Sequence, residues 1–314
     1  MKIQLRSLAV LAICLLISIP PANAWNSIGH MAVAYVAWQQ LTPATRQRAI
    51  TLLKKNPFYK KKWLTYIPKG TSVDDQNLYI FMMAATWPDE IKASNSGYKL
   101  DSDTPPKTSE ATRNTGYGDK YMHKYWHFID TPFSTDGTPL PAIPTPNAET
   151  QIGVFRQVLS SNASDSLKSY DLVWLMHLVG DVHQPLHCAT RVTSADHNGD
   201  AGGNDVKLTN APGELHAYWD DILGMGTTQD YKIGLTAAQS LPAAGSNSSD
   251  SSEADWVSES FHLAQSNVYV APVGPAAGPY TTDAAYQSAT RTTAQQQIAL
   301  AGARLANLLN ADLK

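Results

Sequence analysis

Cysteine is nearly absent from this sequence, and this excludes a fold held together by disulfide bonds. Of the 314 residues, two are cysteines, Cys14 and Cys188. Cys14 lies in an N-terminal segment that we predict is removed, so one thiol remains, and one thiol cannot form a disulfide within the chain. The stability of the fold must therefore come from packing or from bound metal.

Positive charge is also scarce. The chain has 24 lysines and arginines against 27 aspartates and glutamates, which gives a formal net charge of −3. Proteins that bind nucleic acid through a cationic surface are usually strongly basic, and the composition gives no sign of such a surface. If the substrate is a polyanion, something other than lysine and arginine must attract it.

Long hydrophobic runs are missing outside the N-terminal region. Lys2 and Arg6 precede an apolar run at residues 8–19, which is too short to span a membrane comfortably. Ala-Asn-Ala at residues 22–24 follows as a small-residue cleavage site. We predict a cleaved signal peptide and export to the periplasm or the medium. The mature protein then has no membrane span, and Trp25 is its first residue, with a free amine.

Apolar spacing along the remaining chain favours helices. With residues 1–24 removed as a signal peptide, residues 25–314 carry a formal charge of −5 and are within range of one domain. Segments with helical apolar spacing alternate with stretches rich in proline or serine. We predict an all-α fold: one mainly helical domain with long loops and at most a short β-hairpin. Residues 206–209 are the candidate strand, and residues 54–62 read as a loop-like basic surface.

The segment from His177 to His187 is the most informative part of the chain. Apolar residues surround His177 and Asp181, which are four residues apart and therefore project from one face of a helix. Pro185 ends that helix, and His187 follows. A buried carboxylate and a buried imidazole need a partner, and a divalent metal suits both ligand types. A hydrogen bond between the two side chains is the alternative.

Similar weak signals occur elsewhere. One is a second His-x-x-x-Asp pair, and others are a His-Phe-Ile-Asp run, a Trp-Pro-Asp run, and a histidine five residues after the predicted N terminus. Taken alone, an aspartate after proline is most often a helix N-cap, and a phenylalanine is most often a core residue. The candidate positions are Trp25, His30, Asp89, His127, Phe128, Asp130, His216 and Asp220.

Together and in this order, these motifs resemble those of the zinc-dependent single-strand-specific nucleases and 3'-nucleotidases of fungi, plants and bacteria, the S1/P1 type. The resemblance covers residues 25–220, and the C-terminal third carries no motif. That family has a largely helical fold with three zinc ions at the bottom of a cleft, and it is distantly similar to bacterial zinc-dependent phospholipase C. The resemblance therefore implies a fold of the phospholipase C and nuclease P1 kind.

Carried over position by position, the resemblance implies three Zn²⁺ ions per chain. Three Zn²⁺ against three aspartates would leave the cleft of an acidic protein with a charge of about +3, since bound cations are often the largest local charges. The ligand sets would be Asp89, His127, His177 and Asp181 for the first zinc, His187, His216 and Asp220 for the second, and His30, Asp181 and the amine and carbonyl of Trp25 for the third.

The chemistry that the resemblance implies is hydrolysis of single-stranded DNA and RNA to 5'-phosphate products, together with hydrolysis of 3'-nucleotides. Asp89 would orient a water activated between the first and third zinc, and the second zinc would stabilise the departing 3'-oxygen. Lys92, where the family often has arginine, would offset charge on the phosphate. Phe128 would stack on a base, Asp130 would hydrogen-bond to its edge, and Asn204 would lie beside the scissile phosphate.

Two other functions remain open at this point. A phospholipase C would use the same metals on a lipid phosphodiester, although Phe128 with Asp130 suits a base better than an acylglycerol. An exported zinc-binding protein without activity is the other alternative. We expect a monomer. The chain departs from the family at Pro88, where alanine is usual, and in extra residues 194–200, which we expect to border the cleft.

Overall fold

The structure is a computed structural model and describes residues 25–109, 111–210, 212–225 and 228–313. The predicted signal peptide and its cleavage site lie outside the described residues. The described part of the chain is mainly helical and contains one two-stranded sheet. The predicted mainly helical class is confirmed.

Helices of very different length follow one another along the described chain. They are α1 (Ser27–Gln40), α2 (Pro43–Leu53), α3 (Leu64–Tyr66), α4 (Val73–Ala84), α5 (Trp87–Glu90), α6 (Ala148–Ser160), α7 (Asp165–Asp181), α8 (Leu215–Asp220), α9 (Tyr231–Gln239), α10 (Glu253–Leu263) and α11 (Ala284–Asp312). Short 3-10 and π-helical turns lie between several of them.

Polar side chains fix where the ligand-bearing helices begin. The side chain of Asn26 accepts hydrogen bonds from the amides of Ile28 and Gly29 at the start of α1. The Ser164 hydroxyl accepts from the amide of Leu167 at the start of α7. Such caps satisfy main-chain donors that have no partner inside the helix. They also set which residues of each helix face the centre of the molecule.

Helix α7 lies at that centre. It packs against α1, α2, α5, α6 and α11, and its residues from Lys168 to Asp181 are all buried. A helix that is apolar on nearly all sides is stable only inside a core, and the apolar run Leu172–Val179 meets this condition. His177 and Asp181 are thereby carried into the core, where unpartnered polar groups are costly.

Glycines allow close approach of the helices that hold α1 in place. Helix α1 packs on α11 and α9. A Cβ at Gly302 would lie 2.5 Å from Cβ of Val36, and one at Gly234 would lie 2.6 Å from Cβ of Met31. Because real Cβ atoms do not come this close, both positions require the absence of a side chain. This close packing fixes the position of α1, and with it His30, relative to α9 and α11.

The small sheet differs in kind from the predicted hairpin. Strands β1 (Pro132–Ser134) and β2 (Thr190–Val192) pair in parallel, with Phe133 opposite Arg191. Parallel strands need a crossover connection, and here α6 and α7 lie within it. Residues 206–209 form no strand and take part only in isolated bridges, such as that between Lys207 and Glu214. The candidate strand at residues 206–209 was therefore a wrong prediction.

Three further segments differ from the prediction. Residues 54–62 are not simply a loop, because the π-helical turn Tyr59–Trp63 starts there and buries Trp63. Asp89 is not an N-cap, because α5 begins two residues earlier, at Trp87. Helix α9 was not among the predicted helices. Among the described residues, no helix is both long and apolar enough to cross a membrane.

Candidate metal centre

The spacing of His177 and Asp181 places both side chains on one face of α7. Both residues are fully buried, and His177 Nε2 lies 3.4 Å from Asp181 Oδ2. This pair is the core around which side chains from other elements gather.

The first group of candidate ligands surrounds Asp181 Oδ2. His127 Nδ1 lies 3.1 Å from that oxygen and 3.0 Å from His177 Nε2. Asp89 Oδ1 lies 3.6 Å from His177 Nε2 and 3.9 Å from His127 Nδ1. Four donor atoms from α5, α7 and the segment before β1 thus converge on one point.

The other oxygen of Asp181 faces a different partner. Its Oδ1 lies 3.3 Å from Nε2 of His30 on α1, and the His30 ring stacks on His177 with centroids 3.8 Å apart. A Cβ at Gly180 would lie 2.9 Å from His30 Nδ1, so only glycine leaves room for this ring. One carboxylate therefore faces two groups, as a bridging ligand must.

A separate group forms between the end of α7 and α8. His187 Nε2 lies 3.0 Å from His216 Nε2, and Asp220 Oδ2 lies 3.4 Å from His216 Nε2. The side-chain amide of Gln184 donates to Asp220 Oδ1 at 2.8 Å, which leaves Oδ2 directed at the histidines. This second group adjoins the first, because His187 Nδ1 donates to the main-chain oxygen of His127 at 2.7 Å.

Main-chain carbonyl oxygens fix the tautomers of three histidines. Each ring donates its Nδ1–H at 2.7–2.8 Å: His177 to Ala85, His187 to His127 and His216 to Gly202. The Nε2 of each neutral ring then carries a lone pair. His187 and His216 turn these lone pairs toward each other at 3.0 Å, an arrangement that is repulsive unless a cation lies between them. The residues therefore fit a metal ion.

Buried polar atoms without a hydrogen-bond partner cluster at the same place. Among the described residues they include both ring nitrogens of His30, Nε2 of His127, Oδ1 of Asp181 and Oδ2 of Asp220. Leaving such atoms unsatisfied costs about 1–3 kcal/mol each. Metal ligation would satisfy Nε2 of His30, Oδ1 of Asp181 and Oδ2 of Asp220, and this is the second reason why the donor set fits a metal.

Burial also sets the charge of these groups. Desolvation lowers the pKa of every histidine in the three groups, to about 4 for His216 and well below 6.5 for His30, His127, His177 and His187. The rings are therefore neutral at pH 7 and able to ligate. Desolvation raises the pKa of Asp181 and Asp220, so a metal ion would compete with protons for these carboxyl groups.

A cleft of about 370 Å³ gives access to these groups from solvent. Its lining includes the ligand candidates His127, His187 and His216. Lys92 also lines it, with 8% of its side chain exposed, and its Nζ lies 2.8 Å from Asp89 Oδ1. The ammonium group thus stands between a candidate ligand and the open cleft.

The predicted substrate-binding residues line the same cleft. Phe128 and Asp130 are half-buried in its wall. Burial, followed by repulsion from Asp200, raises the pKa of Asp130 to about 6. Asn204 lies on the opposite segment, where its side-chain amide donates to the carbonyl oxygen of Ala201 at 2.6 Å. The cleft therefore has an aromatic face, a carboxyl group and an amide close to the candidate ligands.

Trp25 lies at the edge of the site. Its side chain is fully buried, and the next residue, Asn26, donates its amide to the main-chain oxygen of Asp220 at 3.1 Å. The start of the described chain is thereby attached to α8, close to the second group. Ligation by the amine and carbonyl of Trp25 stays a prediction.

Some features of the site were not predicted from sequence. One is Gln184, which orients Asp220. Its position in a His-Gln-Pro run between two ligand candidates is the sequence feature that could have indicated its role. The extra residues 194–200, which were expected to border the cleft, do not line it themselves, but the next residue, Ala201, does. Asp200 instead anchors the loop, accepting hydrogen bonds from the Arg191 amide and the Tyr269 hydroxyl at 3.0 Å.

Comparison with known proteins supplies independent information. A family model described as S1/P1 Nuclease matches residues 25–314. The chain is 24% identical to "Nuclease S1" of Aspergillus oryzae (strain ATCC 42149 / RIB 40) over 223 residues, which are 67% of this chain and 58% of that protein. It is 35% identical to "Endonuclease 3" of Arabidopsis thaliana over 78 residues, which are 23% of this chain and 24% of that protein. The chain thus spans less than two thirds of the length of either relative.

Proposed function

Because this chain belongs to the S1/P1 nuclease family, we propose that it is an exported nuclease with three zinc ions, which cleaves single-stranded DNA and RNA. The products carry 5'-phosphates, and the enzyme also acts on 3'-nucleotides. The observation that carries the proposal is the opposed lone pairs of His187 and His216, together with the convergence of four donor atoms on one point near Asp181.

The ligand sets follow the three groups. Asp181 is shared, because its two oxygens face separate partners. The first ion is held by Asp89, His127, His177 and Asp181, the second by His187, His216 and Asp220, and the third by His30, Asp181 and the amine and carbonyl of Trp25. Zinc suits this mixture of imidazole and carboxylate donors, and its chemistry when bound is activation of water near neutral pH and neutralisation of phosphate charge.

Asp89 and Lys92 act together on the reacting groups. Asp89 uses Oδ1 toward the first group and toward Lys92, and its Oδ2 orients the attacking water by accepting a hydrogen bond. Lys92 is nearly buried at the cleft wall, where water screens its charge little, so its ammonium group stabilises the charge that develops on the phosphate oxygens. A lysine supplies this charge as a point and not as a bidentate clamp.

The wall of the cleft recognises the nucleotide. The half-buried ring of Phe128 stacks on a base, which requires that the base be unpaired and favours single strands. Asp130 binds the edge of that base, and Asn204 holds the phosphate with its side chain. The raised pKa of Asp130, about 6, keeps part of this carboxyl group protonated near pH 6, where it donates a hydrogen bond.

One set of assays distinguishes the candidate functions. Zinc-loaded protein is given a single-stranded oligonucleotide, a 3'-mononucleotide and phosphatidylcholine vesicles, and the ends of the products are identified. Release of 5'-phosphate products, abolished by a chelator and restored by zinc, supports the proposal. Cleavage of phosphatidylcholine alone would favour a phospholipase C, and zinc content without activity on any of the three would favour a binding protein.

Export and the role of Trp25 are part of the same proposal. The family match begins at Trp25, which supports a mature chain that starts there. Mass spectrometry of protein exported by a bacterial host is expected to show cleavage after Ala24. Protein with two additional residues before Trp25 is expected to lose occupancy of the third zinc. Equal zinc content and activity in both forms would exclude the N-terminal amine as a ligand.

A further inference from the structure

A ribbon of lysine and tyrosine residues lies beside the cleft. Residues 98–100 run alongside residues 120–122. The Lys99 amide donates to the Lys120 carbonyl oxygen at 2.6 Å, and the Met122 amide donates to the Lys99 carbonyl oxygen at 3.1 Å. Lys99 and Tyr121 form a parallel bridge. Main-chain pairing therefore holds the two segments in register.

This pairing places lysine ammonium groups over tyrosine rings. Lys99 Nζ lies 5.6 Å from the centroid of the Tyr121 ring, and Lys120 Nζ lies 5.0 Å from that of Tyr98. The Tyr98 ring packs edge-on against Trp87, whereas Tyr121 is 36% exposed. An exposed cation–π contact contributes only about 0.5–1 kcal/mol. Its contribution to fold stability therefore does little to explain why a ring and a cation lie at this surface.

The exposed ring stands on the segment that leads to the cleft. Tyr121 contacts the ring of His123, with centroids 6.3 Å apart, and the next residue, Lys124, lines the cleft. The carboxylate of Asp101 accepts hydrogen bonds from the amides of His123 at 2.8 Å and Lys124 at 3.1 Å. Tyr121 therefore stands three residues from a cleft-lining cation, on a segment with an ordered backbone.

The charges along this path suit a polyanion. Lys99 is exposed and the Lys124 side chain is 23% exposed, while Asp101 and Asp119 are directed at His123 and at main-chain amides. Lys124 Nζ pairs with Asp103 Oδ1 at 2.6 Å, and the Asp103 side chain is 66% exposed. Surface ion pairs of this kind contribute about 0–1 kcal/mol, so a phosphate can replace Asp103 at low cost.

We propose that Lys99, Tyr121 and Lys124 extend the substrate site beyond the cleft and bind a neighbouring part of the same single strand. Tyr121 stacks on one unpaired base, and the two lysines hold the phosphates on either side of it. The inference rests on the proposed nuclease function and adds to it a preference for oligonucleotides over mononucleotides. Stacking of this kind is tolerant of sequence and contributes about 1–3 kcal/mol per base.

Steady-state kinetics with two substrates test this extension. Zinc-loaded Tyr121→Ala protein is assayed on a single-stranded 12-mer and on a 3'-mononucleotide, which we expect to occupy the cleft alone. We expect kcat/KM for the 12-mer to fall roughly 5- to 100-fold, in line with the loss of one stacked base, and the rate on the mononucleotide to stay within about 2-fold. Tyr121→Phe, which keeps the ring, is expected to behave as wild type.

Binding of the 12-mer with phosphorothioate linkages tests the lysines. Loss of one phosphate contact reduces the slope of log K against log salt by about 0.7 for single strands, and we expect this change in Lys99→Ala. Tyr66→Ala and Lys69→Ala are the matched controls, because Tyr66 is 43% exposed and lines a different cavity, with residues 228–232. Both controls are expected to match wild type on every substrate.

The outcomes separate the two proposals. Wild-type protein that cleaves neither substrate would overturn the nuclease function and the extension with it. Wild-type protein that cleaves both, with Tyr121→Ala equal to it on the 12-mer, would overturn the extension alone. Equal losses of Tyr121→Ala on both substrates would also overturn it, because they would indicate damage to the cleft and not the loss of a distant base.

Discussion

Replacing the buried Asp171 by asparagine is expected to stabilise the protein at neutral pH. Asp171 lies on α7, two turns before the candidate ligands, and is fully buried. Its partner is the side-chain amide of Asn114, whose Nδ2 donates to both carboxylate oxygens at 2.8 and 2.9 Å. Burial raises the pKa of Asp171 from 3.8 to about 8, because one neutral amide does not replace the lost hydration of a carboxylate.

The sign of the pH dependence follows from this shift. A carboxyl group whose pKa is raised by folding contributes its full stability below pH 3.8 and loses it as pH rises toward 8. At pH 7 the folded protein must hold a proton that the unfolded chain releases. With about 1.36 kcal/mol for each pKa unit, this costs at most about 4 kcal/mol. An asparagine side chain at this position would carry no such cost, and its NH₂ group can donate to Asn114 Oδ1, which is buried and without a partner.

Chemical unfolding at several pH values is the assay for this prediction. We expect Asp171→Asn to raise the free energy of unfolding at pH 7 by roughly 1–3 kcal/mol, and to lose this advantage toward pH 4. Asp74→Asn, at an exposed position in α4, is the matched control and is expected to change stability by less than about 0.5 kcal/mol. Destabilisation of Asp171→Asn at pH 7 would show instead that the ionised carboxylate is favourable at this position.

Three further predictions concern the site. Gly202→Ala is expected to remove about one zinc per chain in elemental analysis. Gly202 has a φ of +60°, and a Cβ there would lie 2.5 Å from the Leu186 oxygen. Gly137→Ala is the control and should keep all zinc, because Gly137 has a similar φ and a Cβ there would meet no atom within 4 Å. Gln184→Glu, which removes the donor to Asp220, should weaken the most labile zinc roughly 10- to 100-fold in chelator competition, and unchanged affinity would count against this role. Phe128→Ala should raise KM for a 3'-mononucleotide roughly 5- to 100-fold at unchanged zinc content, and an unchanged KM would remove the stacking role.

Much of the fold and of the candidate centre was predictable because it depends on local spacing. The four-residue spacing of His177 and Asp181, repeated by His216 and Asp220, sets side chains on one helical face whatever the rest of the chain does. The caps at α1 and α7 are likewise local. The resemblance to a family supplied what spacing does not, namely which distant groups meet.

The features that were not predicted depend on contacts between distant segments. The parallel pairing of β1 with β2 joins the segments after Asp130 and after His187, and no local pattern distinguishes it from a hairpin. The carbonyl oxygens of Ala85 and Gly202, which fix two histidine tautomers, are main-chain atoms that any residue possesses. The π-helical turn at Tyr59–Trp63 exists because Trp63 is buried by the rest of the fold, a tertiary effect that overrides a basic, polar sequence.

We expect the scattered histidines and aspartates to gather three zinc ions, with Asp181 shared between two of them. The most direct test of this arrangement is the zinc content per chain of processed protein, measured by elemental mass spectrometry for wild type, Asp181→Asn and Asp220→Asn. We expect about three ions in wild type, about one in Asp181→Asn and about two in Asp220→Asn, because the carboxylate of Asp181 faces two groups and that of Asp220 faces one. Equal zinc content in Asp181→Asn and wild type, with both variants folded, would contradict the account.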